Sequence, residues 1–243
     1  MSRLKYILFT ALCVVSLGDL FAQYSTVGLD LDGDMAAWYD AAIGPGKSPI
    51  LEGTFYKLEY TALDETPYFK GAHWAKGELQ FNGQSYKGVS LLYNSFKDLL
   101  LIRNSALQYS SIQSTLLNQQ KVDGFTIHKR QFVHLKDSLV PSYGDGFYEK
   151  FYEGDTIQFF IKRIKNEYVR SSKVEFLDED KYFLFDGHKY VKYAGKNSLY
   201  KTFPDLKSSL KSYGSSLKTK LKRGEEEGML QLLIHCDKLL MEK

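Results

Sequence analysis

Several stretches of this 243-residue chain place polar residues at spacings that chemistry uses. Ala41-Ala42-Ile43-Gly44-Pro45-Gly46-Lys47-Ser48 fits the permissive phosphate-binding loop, with alanine in place of the first glycine of GxxxxGK[ST]. That chemistry needs the loop between a buried strand and a helix, so that backbone N–H groups face the phosphates. Here a helix-like stretch precedes it, and Pro49-Ile50-Leu51-Glu52-Gly53 follows with no helical pattern, so it reads as a Gly/Pro loop. Asp30, Asp32 and Asp34 alternate as the opening of a calcium loop would, but Met35 stands where the turn glycine belongs and Ala41 where the bidentate glutamate belongs. It reads as an exposed acidic turn, and a weak calcium site there needs oxygens from outside the loop.

Histidines and nucleophiles give as little. In FTIHKRQFVHLK, taken as one strand, His128 and His134 share a face with Arg130 and Phe132, while Phe125, Ile127, Val133 and Leu135 fill the other. Two histidines six residues apart on a strand are separated by about 20 Å and cannot share an ion directly. They read as part of an outward polar face. His73 and His188 have no partner that the sequence identifies. There is no GxSxG elbow, and the two SxxK stretches at Ser208–Lys211 and Ser215–Lys218 lack the companion motifs of penicillin-recognising enzymes, so they read as helix surface. Asp178-Glu179-Asp180 reads as a solvated turn, because adjacent carboxylates splay apart where glycoside hydrolysis wants two facing across a substrate. No catalytic, cofactor or metal residue is therefore assigned. The sharpest charge asymmetry is at 196–223, where eight Lys and Arg face the single acid Asp205. Two readings stay open for it: a solvated helix face whose lysine stems cover apolar neighbours, or contact with an anionic surface through Lys207, Lys211, Lys218 and Lys220.

Composition bounds what these groups sit on. Charge is nearly balanced, 32 Lys+Arg against 29 Asp+Glu for a net +3, which does not suggest nucleic-acid binding. An aromatic share of 15% leans toward strands. Residues 1–22 read as a secretory signal peptide: Arg3 and Lys5 are basic, Tyr6 to Leu17 is apolar, and Ala22 closes a small-residue exit. The apolar part falls short of the roughly 20 residues that span a bilayer, so the expected product is exported and soluble after cleavage. Cleavage removes Arg3, Lys5 and Asp19 and takes the net charge from +3 to +2. Cys13 sits mid-run after Leu12, which argues against a lipid anchor; Cys236 then remains alone, a buried helix hydrophobe in MLQLLIHCDKLL.

Residues 23–53, rich in Gly, Asp and Pro, read as an N-terminal arm. Residues 54–195 carry short apolar runs separated by turn signals, the mark of an antiparallel β body. Asn82-Gly83 and Asp186-Gly187 predict tight hairpins. Glu153-Gly154-Asp155 predicts another, with Ile157, Phe159 and Ile161 on one face and Gln158, Phe160 and Lys162 on the other. Residues 196–243 switch to helical period: Leu206, Leu210, Tyr213, Leu217 and Leu221 fall on one side of a helix beginning at Pro204, and Gly224 separates it from a final helix, Glu225 to Met241. Gly214 is expected to break or weaken the first of these. The fold class is mainly β with C-terminal helices (α+β): an antiparallel twisted sheet, a partly closed barrel or a sandwich, with the helices packed on it.

The signal end FAQ, GELQFNGQSYKGVSLLYNSFKDLLLI, GFYEKFYEGDTIQFFIKR, KYFLFDGHKYVKYAGKNSLYKTFPDLKSSLKSY and the final helix together resemble a family of uncharacterised secreted proteins common in Bacteroidota, over about residues 73–240. The resemblance implies export to the periplasm or outer-membrane environment and a mostly antiparallel fold. It carries no activity or site residues. The function expected on these grounds is a non-enzymatic binding or assembly protein of the cell envelope, with an envelope protein or an anionic membrane surface as partner. A hydrolase with an unrecognised site and a purely structural envelope component are the alternatives. Carboxylates gathered in a cleft with His73, His128, His134 or His188 would favour the hydrolase.

Overall fold

The computed structural model describes residues 50, 53–103, 114–136, 144–171, 173–217 and 225–242, all within one compact unit, 39–243. The leader, the phosphate-loop-like and calcium-loop-like segments, and all of the arm but residues 50 and 53 lie outside the described residues, as do Lys218 and Lys220.

Among the described residues, eleven strands form one antiparallel sheet. They are β1 (Thr54–Phe55), β2 (Ala75–Phe81), β3 (Gln84–Asn94), β4 (Leu99–Arg103), β5 (Ser114–Leu116), β6 (Val122–Ile127), β7 (Arg130–Leu135), β8 (Gly146–Glu153), β9 (Gln158–Lys162), β12 (Lys181–Phe185) and β13 (Tyr190–Tyr193). Their order across the sheet is β1-β5-β4-β3-β2-β6-β7-β8-β9-β12-β13, and β10 (Lys165–Arg170) pairs with β11 (Lys173–Asp178) as a separate hairpin. Among the described residues, three α-helices follow: α1 (Lys196–Thr202), α2 (Lys207–Ser216) and α3 (Glu226–Met241).

Of the three expected architectures the molecule takes the open sheet, strongly rolled and not closed into a barrel. The roll is visible in the β3–β4 turn, where Asp98 accepts the Phe147 N–H of β8 at 3.3 Å and pairs with Lys162 of β9, five places along from β3. Tyr93 donates its hydroxyl to the same carboxylate at 2.6 Å. Gly146 leaves this approach open, since a Cβ there would lie 1.9 Å from Asp98 Oδ2.

The turns explain the registers. Asn82 and Gly83 have φ of +53° and +77°, the two left-handed residues of a tight hairpin. The expected single strand through His128 and His134 is instead a second such hairpin, with His128 and Lys129 themselves at φ +50° and +61°. Reversal of the chain there pairs Phe125 with Phe132, rings stacked 4.7 Å apart, and sends Val133 and Leu135 to a different cluster from Phe125 and Ile127. The Asp186-Gly187 hairpin closes with four residues, Asp186–Lys189, because the Asp186 carboxylate accepts the N–H groups of His188 and Lys189 and holds a wider loop. The β8–β9 connection runs over Gly154–Ile157, with Glu153 still paired to Gln158.

The helices cover one part of the sheet face. Ile157, Phe159 and Ile161 meet Tyr182, Leu184 and Tyr193, with Leu199 and Tyr200 of α1, Leu206, Leu210 of α2, and Met229, Leu232, Leu233 and Cys236 of α3. The last four recur at helical spacing, the stripe a surface helix turns inward. Pro204 opens a short 3-10 turn, Pro204–Leu206, that leads into α2. The helix continues through Gly214 and ends at Ser216, short of the expected Leu221, and residues 218–224 lie outside the described residues. Tyr213 and Leu217 are half-buried where Leu206 and Leu210 are buried. Burial raises the Cys236 thiol to about 12, with the Asp237 charge adding to it, consistent with an inert packing role. No helix among the described residues is long and apolar enough to cross a membrane.

Candidate functional site

Register places one charge where the alternation demands an apolar residue. Cross-strand partners form a row running Tyr86, Leu79, Phe125, Phe132, Glu149, Ile161, Tyr182, Tyr193 from β3 to β13. Directly paired residues project to the same side of a sheet, and all eight are buried. Glu149, 1% exposed, is the charged member of the row. The four residues before it belong to the large aromatic cluster of β2–β8, and the three after it to the cluster beneath the helices. Glu149 marks the seam between two cores.

A buried carboxylate must be paired and hydrogen-bonded. Arg163, next in phase after Ile161, donates Nε to Glu149 Oε2 at 2.6 Å, Nη1 to Asp180 Oδ2 at 2.6 Å and Nη2 to Glu226 Oε1 at 2.6 Å. Arg130 donates Nη1 to Glu149 Oε1 at 3.0 Å and Nη2 to Glu226 Oε2 at 2.7 Å. Both oxygens of Glu149 and both of Glu226 are therefore engaged, and the second oxygen of Asp180 accepts the Ile164 N–H at 3.1 Å. The planar guanidinium fork suits this shared geometry better than an ammonium would. The Arg163 guanidinium also lies over the Phe69 ring, 5.7 Å from its centroid.

The charges are tuned accordingly. Burial works against the Arg163 cation, but Glu149, Asp180 and Glu226 outweigh it and raise its pKa. Burial would likewise lift the Glu226 carboxyl, yet the hydrogen bonds and charges of Arg163 and then Arg130 hold it below its ordinary value. At Asp180 burial wins over Arg163, and the carboxyl is raised. Asp180 is thus drawn into the network, while Asp178 stays exposed and Glu179 accepts the Tyr168 hydroxyl, so the three acids do not form the solvated turn that their adjacency suggested.

Two clefts open on this junction, of about 630 and 400 Å³, and Arg163, Asp178, Asp180 and Glu226 line both. The second is rimmed by Asp64, Glu65 and Lys70, all exposed, with Phe69, Arg130 and Lys165. Neither lining holds a histidine. His134 Nδ1 contacts the Val122 carbonyl at 3.0 Å, and His128 Nε2 is a buried atom without a hydrogen-bond partner, its ring held toward the neutral form by burial and by the nearby Lys70 and His73. His188 lies in the β12–β13 loop and His235 stacks on Tyr213 with ring centroids 4.0 Å apart. Among the described residues no three His, Cys, Asp or Glu side chains are grouped as metal ligands. Lys207 and Lys211 are exposed on α2, away from the lining of either cleft.

A second polar anchor lies at the other end of α3. Asp237 accepts five hydrogen bonds: Tyr152 hydroxyl and Asp155 N–H on Oδ2, both at 3.0 Å, and Thr156 N–H at 2.9 Å, Ile157 N–H at 3.0 Å and the Thr156 hydroxyl on Oδ1. Burial would raise this carboxyl, and these donors, led by Thr156, hold it below its ordinary value instead. Burial and the Asp237 charge push the Tyr152 hydroxyl up to about 12. Gly154 permits the approach, because a Cβ there would lie 2.2 Å from Asp237 Oδ2. The signal for the junction was in the alternation itself: Glu149 is in phase with Phe147, and Arg163 with Ile157, Phe159 and Ile161. Compared with protein-family models, curated proteins and solved structures, the chain matches none.

Proposed function

We propose that the chain is an exported, non-enzymatic binding or assembly protein of the cell envelope, and that the cleft over the ionic junction is the face it turns to an envelope protein. The observation that carries this reading is a rigid floor of interlocked arginines and carboxylates bearing a rim of both signs, Asp64, Glu65 and Lys70. Mixed rim charge selects a partner segment of complementary mixed charge, since like charges brought together are repelled. The leader-like residues 1–22 and the resemblance to secreted proteins support export.

Two measurements test the reading together. Mass spectrometry of the chain recovered from envelope fractions is expected to find an N-terminus at Gln23; Met1 intact or an acylated Cys13 would overturn the export half. Reversing the rim with Asp64→Lys and Lys70→Glu is expected to release envelope partners that the parent chain retains, with the melting temperature unchanged. Identical retention by both would overturn the assignment of the cleft.

A further inference from the structure

A cleft of different character lies between the β12–β13 hairpin and α1, about 380 Å³ in volume. Lys189 and Lys192 reach it from the hairpin, and Lys201, Ser198 and Thr202 from the helix. The acid in its lining, Asp186, accepts the backbone N–H groups of His188 and Lys189 on Oδ1, at 3.0 and 2.9 Å, and sets one negative charge against three lysines. Among the described residues, neither the Lys189 nor the Lys201 ammonium has a carboxylate within ion-pair distance. Cations gathered around one space repel each other, and an anion placed between them reverses the sign of that interaction. The hydroxyls divide their roles. Thr202 donates to the Ser198 carbonyl at 3.0 Å, whereas Ser198 Oγ accepts the Ala194 N–H at 3.0 Å and keeps its own proton to donate.

We infer that this cleft is an oxyanion site and that its ligand is the phosphate group of an anionic membrane lipid. Phosphate matches the donors: ammonium groups act on it as point charges, and a hydroxyl adds a directed hydrogen bond. The surroundings favour a lipid surface over a free ion. Residues 186–216 carry six lysines against two aspartates, and Lys196, Lys207 and Lys211 are exposed beyond the lining. A free phosphate meets the lining alone, whereas a membrane meets the flanking lysines too. The inference stands apart from the cleft over the ionic junction, whose residues it does not use.

The test is flotation of the full chain with vesicles of phosphatidylcholine, with or without one part in four of phosphatidylglycerol, at low ionic strength. The parent chain is expected to float only with the anionic vesicles. Lys189→Gln with Lys201→Gln should weaken that association about thirty-fold, taking roughly 1 kcal/mol per lysine at an anionic surface and 1.4 kcal/mol per tenfold. Lys189→Arg with Lys201→Arg should restore most of it, and Lys207→Gln with Lys211→Gln should cost less than tenfold. All the substituted side chains are exposed, so melting temperatures should match the parent. Equal losses in the two glutamine pairs would overturn the site in favour of diffuse attraction. Failure of the parent to float would overturn the lipid, and binding of inorganic phosphate without flotation would do the same.

Discussion

Helix α3 is fastened to the sheet by a carboxylate near each end, and the two are satisfied in opposite ways. Glu226, in the first turn, is held by two arginines that it shares with Glu149 and, through Arg163, with Asp180. Asp237, in the last two turns, is held by five neutral donors of Tyr152 and the β8–β9 loop. The first is a network of formal charges in which the loss of any member leaves a hydrogen-bonding partner unpaired. The second is a single anion in a cradle shaped by the backbone, where no partner is charged. The junction underlies a cleft with polar walls; the cradle closes the end of a hairpin. Under the proposed function, recognition belongs to the junction and fastening alone to the cradle.

The largest effect should come from the junction. Glu149→Ala removes a side chain that is 1% exposed and leaves Arg163 Nε and Arg130 Nη1 without their acceptor, though both arginines keep Glu226, and breaking a buried pair from one side costs about 3–5 kcal/mol. Urea denaturation measures it; a loss under about 1 kcal/mol would mean that the arginines are solvated without it. Leu210→Ala supplies the apolar standard: Leu210 is fully buried between the helices and the sheet, and truncation should cost about 2–5 kcal/mol, with a clear fall in melting temperature. Lys207→Gln with Lys211→Gln, on the same helix but exposed, should stay within about 0.5 kcal/mol. At the cradle, Asp237→Asn faces five donors with an amide that accepts at one atom only, and should cost about 1.5–3 kcal/mol, the range for hydrogen bonds to a charged group. A neutral result there would show that solvent replaces the carboxylate.

Acid separates the anchors further. Glu226 and Asp237 both have depressed pKa values, so the stability each contributes is complete above its unfolded value, about 4.5 and 3.8, and is lost as pH falls through the folded value. Asp180 is raised and has the opposite sign, its protonation easing the folded state as pH falls. The two signs oppose each other at the junction and not at the cradle: Asp237→Asn and Glu226→Gln should each flatten the stability curve between about pH 5 and 2, whereas Asp180→Asn should steepen it. Added salt should reduce the stability lost on Glu226→Gln and leave that of Asp237→Asn nearly unchanged, since neutral donors are not screened. The reverse order would collapse the distinction between the anchors.

Strand and helix placement was legible because it rests on local pattern. Alternation in β9, Asn82-Gly83 and the spacing of Leu206 and Leu210 act within a few residues. The His128-Lys129 turn was not legible, because neither residue is the glycine or asparagine that usually accepts a positive φ, and pairing of Phe125 with Phe132 imposes it from both sides. The ionic junction escaped for a related reason. Its five members come from five separate places, β7, β8, the β9–β10 connection, the β11–β12 connection and α3, and the sequence separations run from 14 residues for Glu149–Arg163 to 96 for Arg130–Glu226. What the alternation did contain was an acid in an inward register, and an inward charge calls for a partner elsewhere in the chain.

The central claim is that the cleft over the junction meets a partner and the outer face of α3 does not. A photo-crosslinker attached through Lys70→Cys places the probe on the cleft rim, and Lys238→Cys places it on the exposed side of α3; Cys236 is buried and, with its thiol raised to about 12, should not compete for the label. With intact envelope, irradiation is expected to give a discrete adduct from the probe at position 70 and none from the probe at position 238. No adduct from position 70, or the same adduct from both positions, would contradict the account.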